Sequence, residues 1–363
     1  MNPLLKSYKF SRNNKSVNNR IVLASMTNLQ SYSDGFLSEN EINWLYERAK
    51  GGFGILITAA TNVSKDGQAW DGEFGVYDDK FIDGLKQLTK TIHKTNSKIY
   101  AQLFHGGLRC PETITGSTPI SPSVVDCKES FNGKSNSASK VDIRRIINDF
   151  ANSAVRCYKA GFDGIELHGA HGYLISQFFG KKTNQRNDQY GGNVKNRSRF
   201  LVEIIQEIKN IVPEDFVIGV RLSPEIEAIN LEFDETLEII KILNKKSIDF
   251  IHLSCWDIYK KISFKSKKMT YTEIVKNKFE NLPALISTGN IWSSRDAINC
   301  IKQGADFIGV ARVAIRHPYW AKNITDTDYN PKRPPYTQNE LKQSKLSDKF
   351  INYMRKWDKF VKQ

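Results

Sequence analysis

Long apolar runs are missing from this sequence. Nowhere does it offer the roughly 20 consecutive apolar residues that span a bilayer, and the stretch from Met1 to Arg20 is polar and Asn-rich, without the apolar centre of a secretion signal. A cytoplasmic location with no membrane partner is expected. Cysteine is scarce: Cys110, Cys127, Cys157, Cys255 and Cys300 are odd in number, scattered, and never spaced Cys-x-x-Cys. That spacing excludes the usual zinc and iron–sulfur frameworks and fits a reducing compartment. No Gly-x-Gly-x-x-Gly follows the first strand-like run, so an open dinucleotide-binding sheet would lack its phosphate turn. Acidic residues are in deficit, 39 against 53 Lys and Arg, for a formal net charge of +14. The excess is spread along the chain, which reads as solvated faces and a field attractive to anionic ligands rather than a nucleic-acid surface.

The chain of 363 residues, 40% hydrophobic, carries short β-prone runs that alternate with amphipathic segments from one end to the other. The runs are Ile21–Ala24, Gly54–Ala59, Lys98–Phe104, Gly164–Leu167, Val217–Leu222, Phe250–Leu253, Ala284–Thr288 and Phe307–Val310. Between them lie helix-like stretches such as Lys80–Thr95, Val141–Ala160, Arg197–Ile211, Asp234–Lys245 and Ser294–Gln303. Strands that are apolar on both faces and alternate with helices predict an α/β fold, a closed (β/α)8 TIM barrel forming a single domain over residues 1–320. Long loops are expected after strand 3 (Cys110 to Lys140) and strand 6 (Trp256 to Asn281). Residues 321–363 read as a C-terminal tail with a helix near Leu341–Lys359, packed on the barrel or reaching a neighbouring subunit of a homo-oligomer.

In such a barrel the chemistry belongs at the C-terminal strand ends. After strand 4 the sequence reads Gly164-Ile-Glu-Leu-His168-Gly-Ala-His171-Gly-Tyr173-Leu. Two imidazoles there can bind and polarise one oxygen while a phenol delivers a proton. A zinc pair is the weaker reading, because His-x-x-His lacks the helical four-residue spacing and no third ligand is apparent. Strand 7 ends at Gly289-Asn290 and strand 8 at Ala311-Arg312, positions from which backbone N–H groups can hold a phosphate. Arg221 ends strand 5 inside the mouth, where a buried cation calls for an anion. Gln102, within strand 3, offers an amide that can both donate and accept.

With these motifs in view, the chain resembles the old yellow enzyme family of FMN-dependent NADH:flavin oxidoreductases and ene-reductases. The likeness runs from Asn19-Arg20-Ile21-Val22 to Arg312. It rests on His168-Gly-Ala-His171-Gly-Tyr173-Leu, Gln177-Phe178, Asn184-Gln-Arg186-Asn-Asp188, Tyr190-Gly-Gly192 and Asn196-Arg197-Ser-Arg199-Phe200, with Gly51-Gly-Phe-Gly54-Ile-Leu-Ile-Thr58 in support. The resemblance implies FMN as cofactor and NADH or NADPH as reductant. It implies that Ser25, Met26 and Thr27 line the flavin, with Thr27 near C4 and N5, and that Ala60 contributes a backbone contact. Gln102 would bind the pyrimidine edge and Arg221 would sit beside N1 and O2. Gly289, Asn290, Ala311 and Arg312 would hold the phosphate. His168 and His171 would bind the oxygen of an enone or quinone substrate, and Tyr173 would protonate the product carbon.

The sequence departs from that pattern in places. Ser25 stands where the family usually has Pro, Phe179-Gly-Lys-Lys182 replaces a Ser-Pro turn, and His105-Gly-Gly-Leu-Arg109 is shifted by one position, which leaves Arg109 without a role. An alternative reading is an RNA-modifying flavoenzyme resembling dihydrouridine synthases, whose proton donor would be Cys110. A flavin-binding scaffold without activity is a third, disfavoured by the expense of placing Arg221 and Gln102 in the mouth of an inert barrel.

Overall fold

The computed structural model describes residues 2–362. Eight parallel strands close into a barrel, each bonded to its neighbours in sequence. They are β1 (Ile21–Leu23), β2 (Ile55–Asn62), β3 (Lys98–Phe104), β4 (Gly164–Gly169), β5 (Val217–Leu222), β6 (Phe250–Ser254), β7 (Ala284–Thr288) and β8 (Phe307–Val310), and β8 pairs back onto β1. Apart from Lys98, every strand residue is buried. This two-sided burial is why the strands read as apolar runs rather than alternating ones.

The surrounding helices are α1 (Glu39–Lys50), α2 (Ile82–Ile92), α3 (Lys140–Lys159), α4 (Arg199–Ile211), α5 (Phe233–Leu243), α6 (Tyr271–Lys278), α7 (Ser294–Lys302) and α8 (Arg312–Arg316). Their starts are set by local hydrogen bonding. In α3, Ser139 Oγ accepts from Asp142 N while the Asp142 carboxylate accepts from Ser139 N, and Gly161, at φ +86°, carries the chain out of the helix. The face holding Ile143, Ile146, Ile147, Phe150 and Ala154 is buried, at roughly 1.5–3 kcal/mol for each large side chain.

A two-stranded hairpin, Tyr8–Lys9 with Ser16–Val17, closes the N-terminal end of the barrel. Phe10 stacks on Phe307 at 5.9 Å, and above this floor Tyr100 stacks on Phe250 at 5.8 Å. Gly219 makes room for that pair, because a Cβ there would collide with the Phe250 ring. Arg12 locks the hairpin, donating to Asp249 Oδ1 at 2.9 Å and to the carbonyls of Glu214 and Phe216. The barrel is thus solid below and open only at the C-terminal strand ends.

Both expected loops are there, with more internal structure than composition suggests. The first holds a helical turn at Glu112–Thr115 and a bridge between Ile120–Ser121 and Asn136–Ser137. The second contains a hairpin, Lys261–Phe264 with Lys267–Thr270, turning through Lys265 and Ser266 at positive φ, and then α6, which starts on a Thr270–Glu273 capping box. Beyond β8 the tail forms three short helices, Trp320–Asn323, Gln338–Gln343 and Asp348–Met354. The single helix expected near Leu341–Lys359 is broken at Lys345, whose φ is +65°, and Ser347 caps a new start. This tail packs on its own barrel: Phe350 lies edge-on to Trp44 at 5.7 Å, and Arg48 donates to the Ser344 carbonyl. Among the described residues, no helix is long and apolar enough to cross a membrane.

Candidate active site

Alternate residues of each strand point into the barrel, and above the apolar floor these inward positions turn polar. Gln102 (β3), Glu166 and His168 (β4), Arg221 (β5), His252 and Ser254 (β6) and Thr288 (β7) are all buried. Four of them form one hydrogen-bonded chain that starts at Ser25. Ser25 Oγ donates to Gln102 Oε1 at 2.7 Å, and Gln102 Nε2 donates to Glu166 Oε1 at 2.7 Å. Glu166 Oε2 meets His252 Nδ1 at 2.6 Å, and His252 Nε2 meets Thr288 Oγ1 at 2.6 Å. Burial alone would raise the Glu166 carboxyl, but His252, Arg221 and Gln102 hold it below its ordinary value. As Glu166 is then a carboxylate, His252 donates to it through Nδ1, and the neutral ring accepts from Thr288 at Nε2.

Arg221 is anchored at both ends of its fork, donating to the Ser25 carbonyl at 2.9 Å and to Ser254 Oγ at 3.1 Å. Its Nε is buried without a partner. Ser254 Oγ also meets His171 Nε2 at 2.8 Å. His171 has a left-handed backbone, φ +60°, and its N–H is held by Ser223 Oγ at 3.1 Å. That conformation turns the ring toward His168, with ring centroids 5.0 Å apart, while Tyr173 sits 4.9 Å from His168 and edge-on to Phe104 at 4.6 Å. Ala170 N donates to His168 Nδ1 at 3.3 Å, so the His168 proton is on Nε2.

Electrostatics separate the three groups. Burial first, then His171 and Arg221 for His168, and Arg221 and His252 for His171, push both well below the ordinary imidazole value. Both rings are neutral near pH 7. Burial pushes the Tyr173 phenol up to about 12, partly opposed by Arg109, so it keeps its proton. Two neutral imidazoles and a protonated phenol can hold an oxygen and give a proton, but they make poor general bases.

These groups line one cavity of about 630 Å³, within the usual range for small-ligand sites. The cavity collects every residue expected to meet the flavin or the substrate: Ser25, Met26, Thr27, Ala60, Gln102, His168, His171, Tyr173, Arg221, Gly289, Asn290, Ala311 and Arg312. At its β7–β8 end the backbone N–H groups of Gly289, Asn290, Ala311 and Arg312 have no acceptor among the described residues. Gly289 is at φ +155° and a Cβ would stand 2.7 Å from the Trp256 carbonyl carbon, so close approach there needs glycine.

Several residues in or beneath the cavity were not anticipated. Glu166, His252, Ser254 and Thr288 follow from the alternation that selected His168 and Gln102, applied one inward position lower or to a neighbouring strand. Trp70 and Trp256, and Tyr353, Met354 and Trp357 from the tail, also line the cavity; they arrive by loop and tail packing that carries no periodic signal. Cys110 is buried and does not line the cavity, so its thiol is not placed to give a proton there.

Comparison with known proteins agrees with this geometry. The profile of the NADH:flavin oxidoreductase / NADH oxidase family matches residues 9–330. A Bacillus subtilis (strain 168) relative named "Probable NADH-dependent flavin oxidoreductase YqiG" is 34% identical over 334 residues, covering 89% of this chain and 88% of the relative. An NADPH dehydrogenase of Clostridium acetobutylicum is 32% identical over 317 residues, covering 85% and 90%. An NADH oxidase of Thermoanaerobacter brockii is 35% identical over 330 residues, or 87% of this chain and 50% of that longer one. The old yellow enzyme homologue of Zymomonas mobilis shares the fold with a TM-score of 0.80 at 24% identity, covering 96% of this chain and 99% of the other. The chain belongs to the NADH:flavin oxidoreductase / NADH oxidase family and is an FMN-dependent NAD(P)H oxidoreductase of the old yellow enzyme type.

Proposed function

We propose that this enzyme reduces activated alkenes, enones above all, or quinones, with His168 and His171 anchoring the substrate oxygen and Tyr173 supplying a proton. The observation that carries the reading is the meeting of two neutral imidazoles and a protonated phenol in one cavity, with ring centroids about 5 Å apart.

The donor set suits FMN. Unpaired backbone N–H groups of Gly289, Asn290, Ala311 and Arg312 match a phosphate at one end, and the unpartnered Arg221 Nε with the Gln102 amide matches a ring edge of carbonyls and nitrogens at the other. On this reading Ser25, Met26, Thr27 and Ala60 line the ring and Arg221 favours negative charge on it. When bound, FMN would supply the hydride chemistry that links NAD(P)H to the β-carbon of the alkene.

The protein's own part is polarisation and proton delivery. His168 presents Nε2–H. Arg221 can only donate, so the Ser254 oxygen accepts from it; with the Ser254 proton turned to His171 Nε2, His171 presents Nδ1–H to the cavity. Two N–H groups on a carbonyl oxygen withdraw charge from the conjugated alkene and stabilise the developing enolate. Tyr173 then gives its phenolic proton to the α-carbon.

An anaerobic rapid-mixing experiment tests this directly. NAD(P)H should bleach the visible absorption of the FMN-loaded protein, and 2-cyclohexenone or a benzoquinone should restore it. If every enone and quinone leaves the bleached enzyme unchanged, the reading is wrong.

A further inference from the structure

Arg109, which the sequence left without a role, forms part of the wall of the active-site cavity. The loop carrying it is firmly built. Gln177 Nε2 donates to the carbonyls of Gly106 and Gly172, and Gln177 Oε1 accepts from Leu108 N at 3.1 Å. Gly107, at φ +61°, lies so close to Gln177 that any Cβ there would collide with the amide. Cys127 Sγ donates to the Leu108 carbonyl from the far side at 3.2 Å. The guanidinium that results sits 4.6 Å above the Tyr173 ring and donates from Nη1 to the His171 carbonyl at 3.1 Å. These contacts occupy one face and one N–H. Among the described residues no carboxylate pairs with Arg109. The two carboxylates that line the cavity are Glu225, which pairs with Lys260, and Glu227.

We propose that Arg109 binds an anionic carboxylate carried by the substrate on its α-carbon side, so that the enzyme prefers unsaturated carbonyl compounds bearing such an acid group. This rests on the enone reading above. The placement follows from contacts already described: Tyr173 faces the α-carbon it protonates, and Arg109 lies on the Tyr173 ring. A substituent on that carbon is the part of the substrate nearest the guanidinium. Arg109 keeps Nε and Nη2 free for a two-point bond to a carboxylate, and a forked donor gains most from that partner. Its carbonyl and ring contacts keep the guanidinium fixed before the anion arrives, which reduces the ordering entropy of binding. Trp70 lies 6.2 Å from Tyr173 and Trp256 lies 6.3 Å from His171, so indole rings border the two residues that Arg109 contacts.

The test compares an acid with its ester on the FMN-loaded enzyme, using the 1-methyl ester of itaconic acid and dimethyl itaconate as oxidants of the reduced protein. The acid-to-ester ratio of kcat/KM should fall at least about tenfold in Arg109→Leu, recover in part in Arg109→Lys, and fall with rising salt in the wild type. Any effect transmitted through Tyr173 alone divides out of this ratio. A binding readout accompanies it: the saturated acid 1-methyl methylsuccinate, which cannot be reduced, should bind the oxidised wild type by calorimetry and lose about tenfold in affinity in Arg109→Leu. If neither alkene is reduced, and 2-cyclohexenone and benzoquinone also fail, the enone reading falls while the calorimetric titration still decides the role of Arg109. An unchanged ratio together with unchanged binding of the saturated acid overturns the proposal. So does a rise in KM for NAD(P)H at constant ratio, which would assign the cation to the coenzyme phosphates.

Discussion

Glu166 and His252, on strands that are not neighbours in the barrel, meet across its interior at 2.6 Å with both side chains fully buried. The carboxylate is also the anion nearest to neutralising Arg221, and it orients Gln102. The two groups proposed to meet the flavin edge therefore depend on one carboxylate that never reaches the cavity surface. Glu166→Gln keeps the shape but removes the charge, and it puts an amide N–H in place of the acceptor of either Gln102 or His252. The predicted outcome is FMN binding weakened by about tenfold to a hundredfold, measured by fluorescence titration of the apoprotein, with a loss of about 3–5 kcal/mol in unfolding free energy from breaking a buried pair.

His168, His171 and His252 are all held below their ordinary value of 6.5 in the folded protein, with burial the largest cause. A depressed folded value means the unfolded chain takes up the proton first. Stability from each is complete above pH 6.5 and falls as pH drops below it, by up to about 1.4 kcal/mol per pH unit per histidine. Glu41 and Glu73 are raised by burial and act in the opposite sense, so the net curve mixes both. The difference between wild type and His168→Asn cancels them. Urea unfolding between pH 7 and 5.5 should show the variant losing less stability, by about 1.4 kcal/mol per unit. Parallel curves would mean that His168 titrates in the native state as it does in the unfolded chain.

Gly219 lies under the polar layer, where any side chain would strike the Phe250 ring. Phe250 is stacked on Tyr100 and cannot retreat. Gly219→Ala should cost about 1–3 kcal/mol by overpacking, read as a lower urea midpoint at unchanged slope.

Arg48 is fully buried with no acidic partner. It donates to the carbonyls of Trp44, Ala314, Ile315 and Ser344, and its guanidinium lies 3.9 Å from the Trp44 ring. It ties α1 to α8 and to the tail that supplies Tyr353, Met354 and Trp357 to the cavity. Arg48→Met should leave four carbonyls short of a donor, cost at least about 3 kcal/mol, and make the tail the first segment cut in limited proteolysis.

These residues also show what the sequence carried and what it did not. Period-two inward positions on buried strands exposed Gln102, His168 and Arg221, because a polar residue in an apolar run has to answer for its burial. The same reasoning was available for Glu166 and His252, yet one sits in a string already claimed by His168 and the other in a run that reads as plain core. The barrel was legible because two-sided burial imposes apolar strands at regular intervals. The tail was not: Tyr353, Met354 and Trp357 reach the cavity only because Arg48 and Trp44 hold the chain there, contacts separated by roughly 300 residues. The break at Lys345 is equally silent, since a lysine in the left-handed region has no sequence signature.

The account depends most on Tyr173 giving a proton after the substrate oxygen is held. Its phenol, raised to about 12, stays protonated across the neutral range. Rapid mixing of Tyr173→Phe resolves the two halves of the cycle in one experiment. The account predicts that NAD(P)H bleaches the variant at nearly the wild-type rate, while reoxidation by 2-cyclohexenone is slower by about 10²–10⁴-fold. Reoxidation at the wild-type rate would contradict it.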